Sequence, residues 1–532
     1  MLSRRLIFLL MSVISLSQLS GCSKTATTGV AAHDATASMS FELAAPTGQA
    51  MKTEQVSNAP ELNTEAYDHI DENEFLDALR NPKSTFSIDV DTASYSNVRR
   101  MLRTGRAPPA GAVRIEELIN YFSYDYPAPE DEHPFAVSME LAKCPWKESH
   151  QLLRVGLKGA ELNIEERPAS NLVFLLDVSG SMNSLQKLPL VKSAMRLLVE
   201  QLDERDRIAI AVYAGASGLA LPSTLVNKKA TILAAIDELS AGGSTNGAEG
   251  INLAYSVAEE NFITGGINRV ILCTDGDFNV GVTSQSNLVD LIEKKAKSNV
   301  FLSVLGFGSG NLKDSTMEKL ADKGNGNYAY FDSLLEARKS LVKQIGGTLV
   351  TIAKDVKIQL DFNPNQVAAY RLIGYENRLL ANEDFADDTK DAGEIGAGHT
   401  VTALYELVPP GVDSPARSDA PSKFVKTVVN EDVDESTVLT VSLRYKKPEG
   451  DASTEFTRTL HHPQEGIIEA SNDLRFAASV AAFGMLLRDS KHKGDTDWNS
   501  VIEAAEKNLG PDEDGFRAEF IELAKKARLI SS

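Results

Sequence analysis

Between about residues 169 and 349 the chain alternates short, wholly apolar runs with amphipathic stretches, and this alternation constrains the fold more than any other feature. Residues 172–176, 207–213, 269–273 and 300–306 read as strands, each followed by helical sequence. Strands joined by helices at this spacing require right-handed crossovers and a parallel sheet with helices on both faces. The first, third and fourth are continuous apolar runs, as strands buried on both sides are. The expectation is an α/β unit with a doubly wound, mainly parallel sheet. Cys273 falls inside one such run and reads as a buried, reduced thiol rather than as half of a bridge to Cys144.

The first strand ends in Asp177-Val178-Ser179-Gly180-Ser181 and the third in Thr274-Asp275-Gly276-Asp277, while Thr245 lies in the glycine-rich loop Gly242-Gly243-Ser244-Thr245-Asn246-Gly247. Open α/β sheets place ligands beyond the carboxyl ends of their strands. Asp177, Ser179, Ser181, Thr245 and Asp275 are therefore expected at one edge. Alone, Asp-x-Ser-x-Ser would serve as a helix cap and Asp275 as a turn residue. The matching strand ends and the glycine-framed threonine favour a common site, with Asp277 as a solvated turn residue. Hard oxygen donors with no His or Cys among them suit Mg²⁺, with Mn²⁺ or Ca²⁺ as alternatives, and do not suit zinc.

This set resembles the metal-ion-dependent adhesion site (MIDAS) of the von Willebrand factor A (VWA) domain, which combines Asp-x-Ser-x-Ser with a distant Thr and Asp. All five positions match. The resemblance implies a Rossmann-like VWA fold. Ser179, Ser181 and Thr245 would supply hydroxyl ligands, and Asp177 and Asp275 would act largely through water. A vacant position on the metal would accept an Asp or Glu carboxylate from a partner protein.

The amino terminus carries Arg4 and Arg5, then the apolar run Leu6-Ile7-Phe8-Leu9-Leu10-Met11, then small residues up to Cys22. The run is short for a bilayer core of about 30 Å, so it reads as a cleaved signal rather than a span. Leu19-Ser20-Gly21-Cys22 resembles a bacterial lipobox, which implies acylation of Cys22 and a stable membrane anchor. Ser23, standing where an Asp would favour inner-membrane retention, implies the outer membrane, periplasmic face. Residues 23–67 are rich in Ala, Thr, Ser, Gly and Asn and lack sustained periodicity, the composition of a disordered tether.

On either side of the α/β unit the pattern changes. Residues 84–91 read as a strand leading into a helix over 94–103, residues 113–122 as a helix, and 135–141 and 151–157 as strands. Short strands return at 355–362, 367–374, 400–408, 437–445 and 456–460, and helices at 473–487, 498–509 and 515–527. The flanking strands are expected to share one β-sandwich into which the α/β unit is inserted. The segments 84–95, 113–122 and 370–378 resemble the flanking domains of the YfbK-like VWA lipoproteins of bacteria. The expected organisation is a lipoprotein signal peptide over 1–21, a tether over 22–70, and a VWA-associated α+β domain over 71–168. The VWA domain follows over 169–349, then a β-rich domain over 350–465 and a C-terminal helical region over 466–532.

With 54 Lys and Arg against 74 Asp and Glu, the formal net charge of -20 repels a phosphate backbone, so nucleic acid is not an expected partner. Phosphate-loop and nucleophile-elbow motifs do not occur, and Gly306-Phe307-Gly308-Ser309-Gly310 lacks the glycine spacing of a dinucleotide fingerprint. Asp89 and Asp91 imitate a metal motif without the serines and read as structural, and Asp497 reads as a helix cap. The function expected is a non-enzymatic, metal-dependent, protein-binding lipoprotein of the bacterial envelope. The rivals are an envelope structural protein whose metal site only stabilises the fold, and an envelope hydrolase using Asp177 or Asp275 as base.

Overall fold

A computed structural model of the chain describes residues 65–162, 167–214, 216–242, 247–276, 285–416, 434–448, 450, 452–462 and 469–531. Before the α/β unit run β1 (Leu76–Asp77), β2 (Lys83–Ser87), β3 (Phe135–Lys143) and β4 (Gln151–Gly159), with helices α1 (Ala93–Arg103) and α2 (Ile115–Asn120). The unit itself holds β5 (Ser170–Asp177), β6 (Arg207–Ala214), β7 (Ala216–Leu225), β8 (Ile267–Thr274), β9 (Phe301–Phe307) and β10 (Tyr328–Phe331). Its helices are α3 (Leu188–Gln201), α4 (Lys229–Glu238), α5 (Gly247–Glu260), α6 (Gln285–Ala296), α7 (Asp314–Lys323), α8 (Leu334–Arg338) and α9 (Ile345–Leu349). After it come β11 (Thr351–Phe362), β12 (Ala369–Ile373), β13 (Gly393–Gly396), β14 (Thr400–Val408), β15 (Thr437–Lys446) and β16 (Ser453–His461), then α10 (Asn472–Arg488), α11 (Trp498–Lys507) and α12 (Phe516–Ser531).

The α/β sheet has the order β10-β9-β8-β5-β6-β7 and is parallel except for β7, which returns antiparallel to β6 along the edge. The two-residue side-chain period of a strand accounts for its double winding. In β5, Leu172, Phe174 and Leu176 enter one core, lined by α3 and α4, while Val173 and Leu175 enter the other, lined by α5, α6 and α7. β8 divides likewise: Ile271 and Cys273 face the first core, Val270 and Leu272 the second. Each such side chain, fully buried, contributes about 1.5–3 kcal/mol. Cys273 and Cys144 are both buried free thiols. The sequence pattern missed β7, which Gly218 and Pro222 interrupt as only an edge strand tolerates, and β10, which is four residues long.

The flanking stretches make two antiparallel sheets, one with the order β1-β12-β14-β4-β3 and one with the order β13-β11-β15-β16, in which β2 also pairs with β11. Each sheet draws strands from both sides of the α/β unit, so residues on either side of it form one sandwich around a common core that includes Phe86, Leu153, Val155, Ile358, Leu360, Tyr405 and Val441. The outer face of the first sheet, through Ala142, Leu152, Ile373 and Leu404, packs under α1, α2 and the C-terminal helices. Here α10 is buried almost continuously from Leu474 to Met485. At Gly484 a Cβ would stand 2.8 Å from the Ile115 Cγ1 atom, so this glycine permits the close approach of α10 to α2.

Three arginines, Arg99 and Arg114 buried and Arg378 nearly so, join the α/β unit to its flanks. Arg99 on α1 meets Asp332 at 2.5 Å, Glu336 on α8 at 2.7 Å and Glu519 on α12 at 3.1 Å. Arg114 meets Glu117 at 3.0 Å, and Asp314 and Glu318 of α7 at 2.8 and 2.7 Å. Arg378 meets Asp89, Asp91, Glu318 and Asp322. Asp91 also accepts the Tyr328 N–H at 2.8 Å, holding the start of β10. Around Arg114 and Arg378, six carboxylates thus surround two guanidiniums, so they do not all stay charged. Burial pushes Glu318 up to about 8 against the pull of Arg114 and Arg378, and raises Asp91 well above the usual carboxylate range, helped by Asp89.

Removing one partner of a buried ion pair strands the rest, so Arg378→Met is expected to cost about 3–5 kcal/mol. Lys507→Met, which removes an exposed pair with Glu503, should cost no more than about 0.5 kcal/mol. Urea unfolding measures both, and equal small losses would show that the network does not hold the junction. Because Glu318 binds its proton more tightly in the folded chain, its contribution is fully present below its ordinary value of 4.5 and is lost as pH rises through about 8. Glu318→Gln is therefore expected to flatten the decline of Tm between about pH 5 and pH 8, and an unchanged slope would place the proton elsewhere.

Candidate functional site

β5 is the central strand of the sheet, with β8 on one side and β6 on the other. Leu176 pairs with Cys273 in parallel register, so the residues that follow, Asp177 and Thr274-Asp275, leave the sheet side by side. Both carboxylates are fully buried, Ser179 is nearly so, and Ser181 is exposed. The chain turns sharply after each strand. Asp177 Oδ1 accepts the Ser179 N–H at 2.8 Å, and Thr274 Oγ1 accepts the Gly276 N–H at 3.2 Å. Gly276 has φ +98°, and a Cβ there would lie 2.6 Å from the Leu312 Cα atom, so glycine is required where this turn passes the 311–313 segment.

The Ser179 and Ser181 hydroxyls lie 3.0 Å apart. Asp177 Oδ2 is buried and takes no hydrogen bond of full geometry among the described residues, although the buried Tyr213 hydroxyl is near enough to the carboxylate to pull it down. Burial pushes the Asp177 carboxyl up to about 6, against the Ser179 hydrogen bonds that pull it down. Asp275 Oδ2 accepts from the Lys187 ammonium at 2.8 Å and from Asn311 Nδ2 at 3.5 Å. The structure thus brings together Asp177, Ser179, Ser181 and Asp275. Thr245 and Asp277 lie outside the described residues, as do Cys22 and the whole signal and tether stretch before residue 65. Lys187, ten residues beyond Asp177, is the member that sequence reasoning did not find; a lone lysine at a helix start gives no periodic signal.

The donors fit a hard divalent cation. Oxygen is the only ligand atom offered by these four residues, and Asp177 Oδ2 is a buried acceptor with a desolvation cost and no donor at full hydrogen-bond geometry, a cost that a cation would relieve. Such an ion would supply a Lewis-acidic position at the sheet edge.

A second carboxylate cluster, Asp89, Glu117 and Glu318, brings three ligand atoms within 4.8 Å of one another, all on buried residues. Arg114 and Arg378 already pair with these groups, so this is the ion network of the junction. Asp497 Oδ1 accepts the Ser500 N–H at 2.7 Å and caps α11. Among the described residues no helix is long and apolar enough to cross a membrane.

Comparison with known proteins agrees with this architecture. Residues 171–344 match the von Willebrand factor type A domain family, residues 61–154 match a von Willebrand factor family, and residues 347–530 match the family described as YfbK, C-terminal. A relative from Escherichia coli (strain K12), the protein YfbK, is 43% identical over 494 residues, covering 91% of this chain and 84% of its own length. Protein sll0103 of Synechocystis is 28% identical over 189 residues, which are 36% of this chain and 44% of that one. Among solved structures, a von Willebrand factor type A protein from Catenulispora acidiphila matches 77% of this chain and 98% of its own at 15% identity, with a TM-score of 0.42. The extent and identity of the Escherichia coli match, together with a type A domain set between the two flanking families, show that this chain belongs to the YfbK family of bacterial VWA-domain proteins.

Proposed function

We propose that this protein is a membrane-anchored, divalent-metal-dependent protein-binding lipoprotein. Asp177, Ser179, Ser181, Thr245 and Asp275 hold Mg²⁺, or Mn²⁺ or Ca²⁺, and the ion takes an Asp or Glu carboxylate from a partner protein. The observation that carries this reading is the buried Asp177 carboxylate, whose Oδ2 meets no donor at full hydrogen-bond geometry, beside the Ser179–Ser181 hydroxyl pair at the strand ends that also deliver Asp275. The type A domain family supports an interaction or scaffold role. A cation at this edge also answers an electrostatic problem. The chain carries a net charge of -20, which repels acidic partners at long range, so attraction must come from a local positive centre.

Among the described residues the edge shows no acid–base pair: Asp177 accepts a backbone N–H, Asp275 faces an ammonium, and the Ser179 and Ser181 hydroxyls face each other without an imidazole. The reading is therefore of a binding protein, not an enzyme. The proposed anchor rests on the resemblance of residues 19–22 to a lipobox with Cys22 as the acylated residue, and the proposed outer-membrane, periplasmic location on Ser23 in the next position.

Immobilised full chain is incubated with solubilised envelope extract in Mg²⁺ or in EDTA, alongside Asp177→Ala, and bound metal is counted by elemental analysis. The expected outcome is one divalent ion per wild-type chain, none in Asp177→Ala, and a partner retained by wild type with Mg²⁺ alone. The same proteins captured in all four conditions would sink the metal-dependent reading. Cys22→Ala is expected to leave the membrane fraction for the soluble periplasmic one, and a variant that stays with the membrane would refute the lipid anchor.

A further inference from the structure

Lys187 occupies a position for which neither the motif nor the fold of the domain accounts. It immediately precedes α3, where the turn from Ser184 carries it back toward the strand ends, with the Lys187 N–H donating to the Ser184 carbonyl at 3.0 Å. Its side chain is buried, 7% exposed, and the ammonium donates to Asp275 Oδ2 at 2.8 Å. The stem packs directly over Gly308. A Cβ there would stand 2.4 Å from Lys187 Cγ and 2.5 Å from Cε, and Gly308 has φ +75°, a conformation that favours glycine. The lysine is therefore seated, with its charge set on one of the two carboxylates of the candidate metal site.

We infer that Lys187 is an internal latch on this site, its ammonium and a divalent ion being alternative occupants of the Asp275 carboxylate. The inference rests on the metal-binding reading above. With Asp177 and Asp275 as the buried acids, one ammonium leaves a single negative charge, and one divalent ion alone balances both. Ammonium and dication together would put excess positive charge in a pocket with little water, where like charges repel strongly. Lysine suits such a latch because its compact charge sits on a flexible four-carbon stem and can leave by rotamer change without moving the backbone. Gly308 borders the stem, and Leu185, two residues before Lys187, is exposed. Loading the metal then expels Lys187, and by linkage whatever holds Lys187 outside the pocket raises metal affinity by the same factor.

The test uses the full chain and Mn²⁺ as probe, with two readouts. In calorimetric titration, Lys187→Met and Lys187→Gln are expected to bind Mn²⁺ at least tenfold more tightly than wild type, and Asp177→Ala to bind none. Equal affinities in wild type and both lysine variants would overturn the latch and leave the metal-binding reading standing. Absence of binding in every form would overturn that reading and the latch with it. The second readout needs no lysine variant: the rate at which Lys187 of wild type is acylated by an amine-reactive reagent, followed by peptide mass spectrometry. Saturating Mn²⁺ is expected to raise this rate at least fivefold in wild type and to leave it unchanged in Asp177→Ala. A rate in wild type that Mn²⁺ does not raise would overturn the latch even if the variants failed to fold.

Discussion

The architecture depends on buried charge at the junction between the α/β unit and the sandwich that surrounds it in the chain. Arg99, Arg114 and Arg378 each reach across this junction to carboxylates on α7, α8 or the end of β10. A guanidinium is always charged and presents a rigid fork of donors, so it tolerates burial only where several acceptors meet it. The flanking segments supply the arginines and the α/β unit supplies most of the acids. A break on either side leaves uncompensated charge on the other. Such pairs add little net stability compared with apolar packing, but they penalise other arrangements heavily, and so they fix how the unit is seated.

That seating bears on the site at the carboxyl edge of the same sheet, the edge at which Asp332 leaves β10 to meet Arg99. Parallel strands must end together at the carboxyl side, and the register of β5 with β8 puts Asp177 and Asp275 in one place. Double winding then buries both strands from two sides, which keeps the edge rigid and its carboxylates out of water. The same burial makes an unpaired acid costly, and the chain meets that cost unevenly. Asp275 has an ammonium partner, while one oxygen of Asp177 meets no donor at full hydrogen-bond geometry. This asymmetry between neighbouring acids is the feature on which the proposed cation binding rests.

The chain's larger features were legible in its sequence because they rest on local pattern. The apolar runs that became β5, β8 and β9, the helices that follow them and the strand-end motif Asp177-x-Ser179-x-Ser181 all follow from period and position. The edge strand β7 and the short strands β10 and β13 were not legible, since each depends on a neighbour for its hydrogen bonds more than on its own residues. The three arginines gave no signal either. Arg99 and Asp332 are 233 residues apart, and Arg378 and Asp89 are 289 apart. No periodicity in a one-dimensional pattern links such pairs.

By itself the sequence determined the class of sheet, the residues at its carboxyl edge and the kind of ion those residues would suit, because donor type and strand pattern are properties of neighbouring residues. The tertiary structure alone decided which groups meet at that edge. It set Lys187 on Asp275, buried Asp177 Oδ2 with no donor at full hydrogen-bond geometry, and matched the arginines of the flanking segments to the acids of the inserted unit. The physical reason is that charge compensation in a buried place is settled by whatever packing brings within about 3–4 Å, and distance along the chain carries almost no information about it.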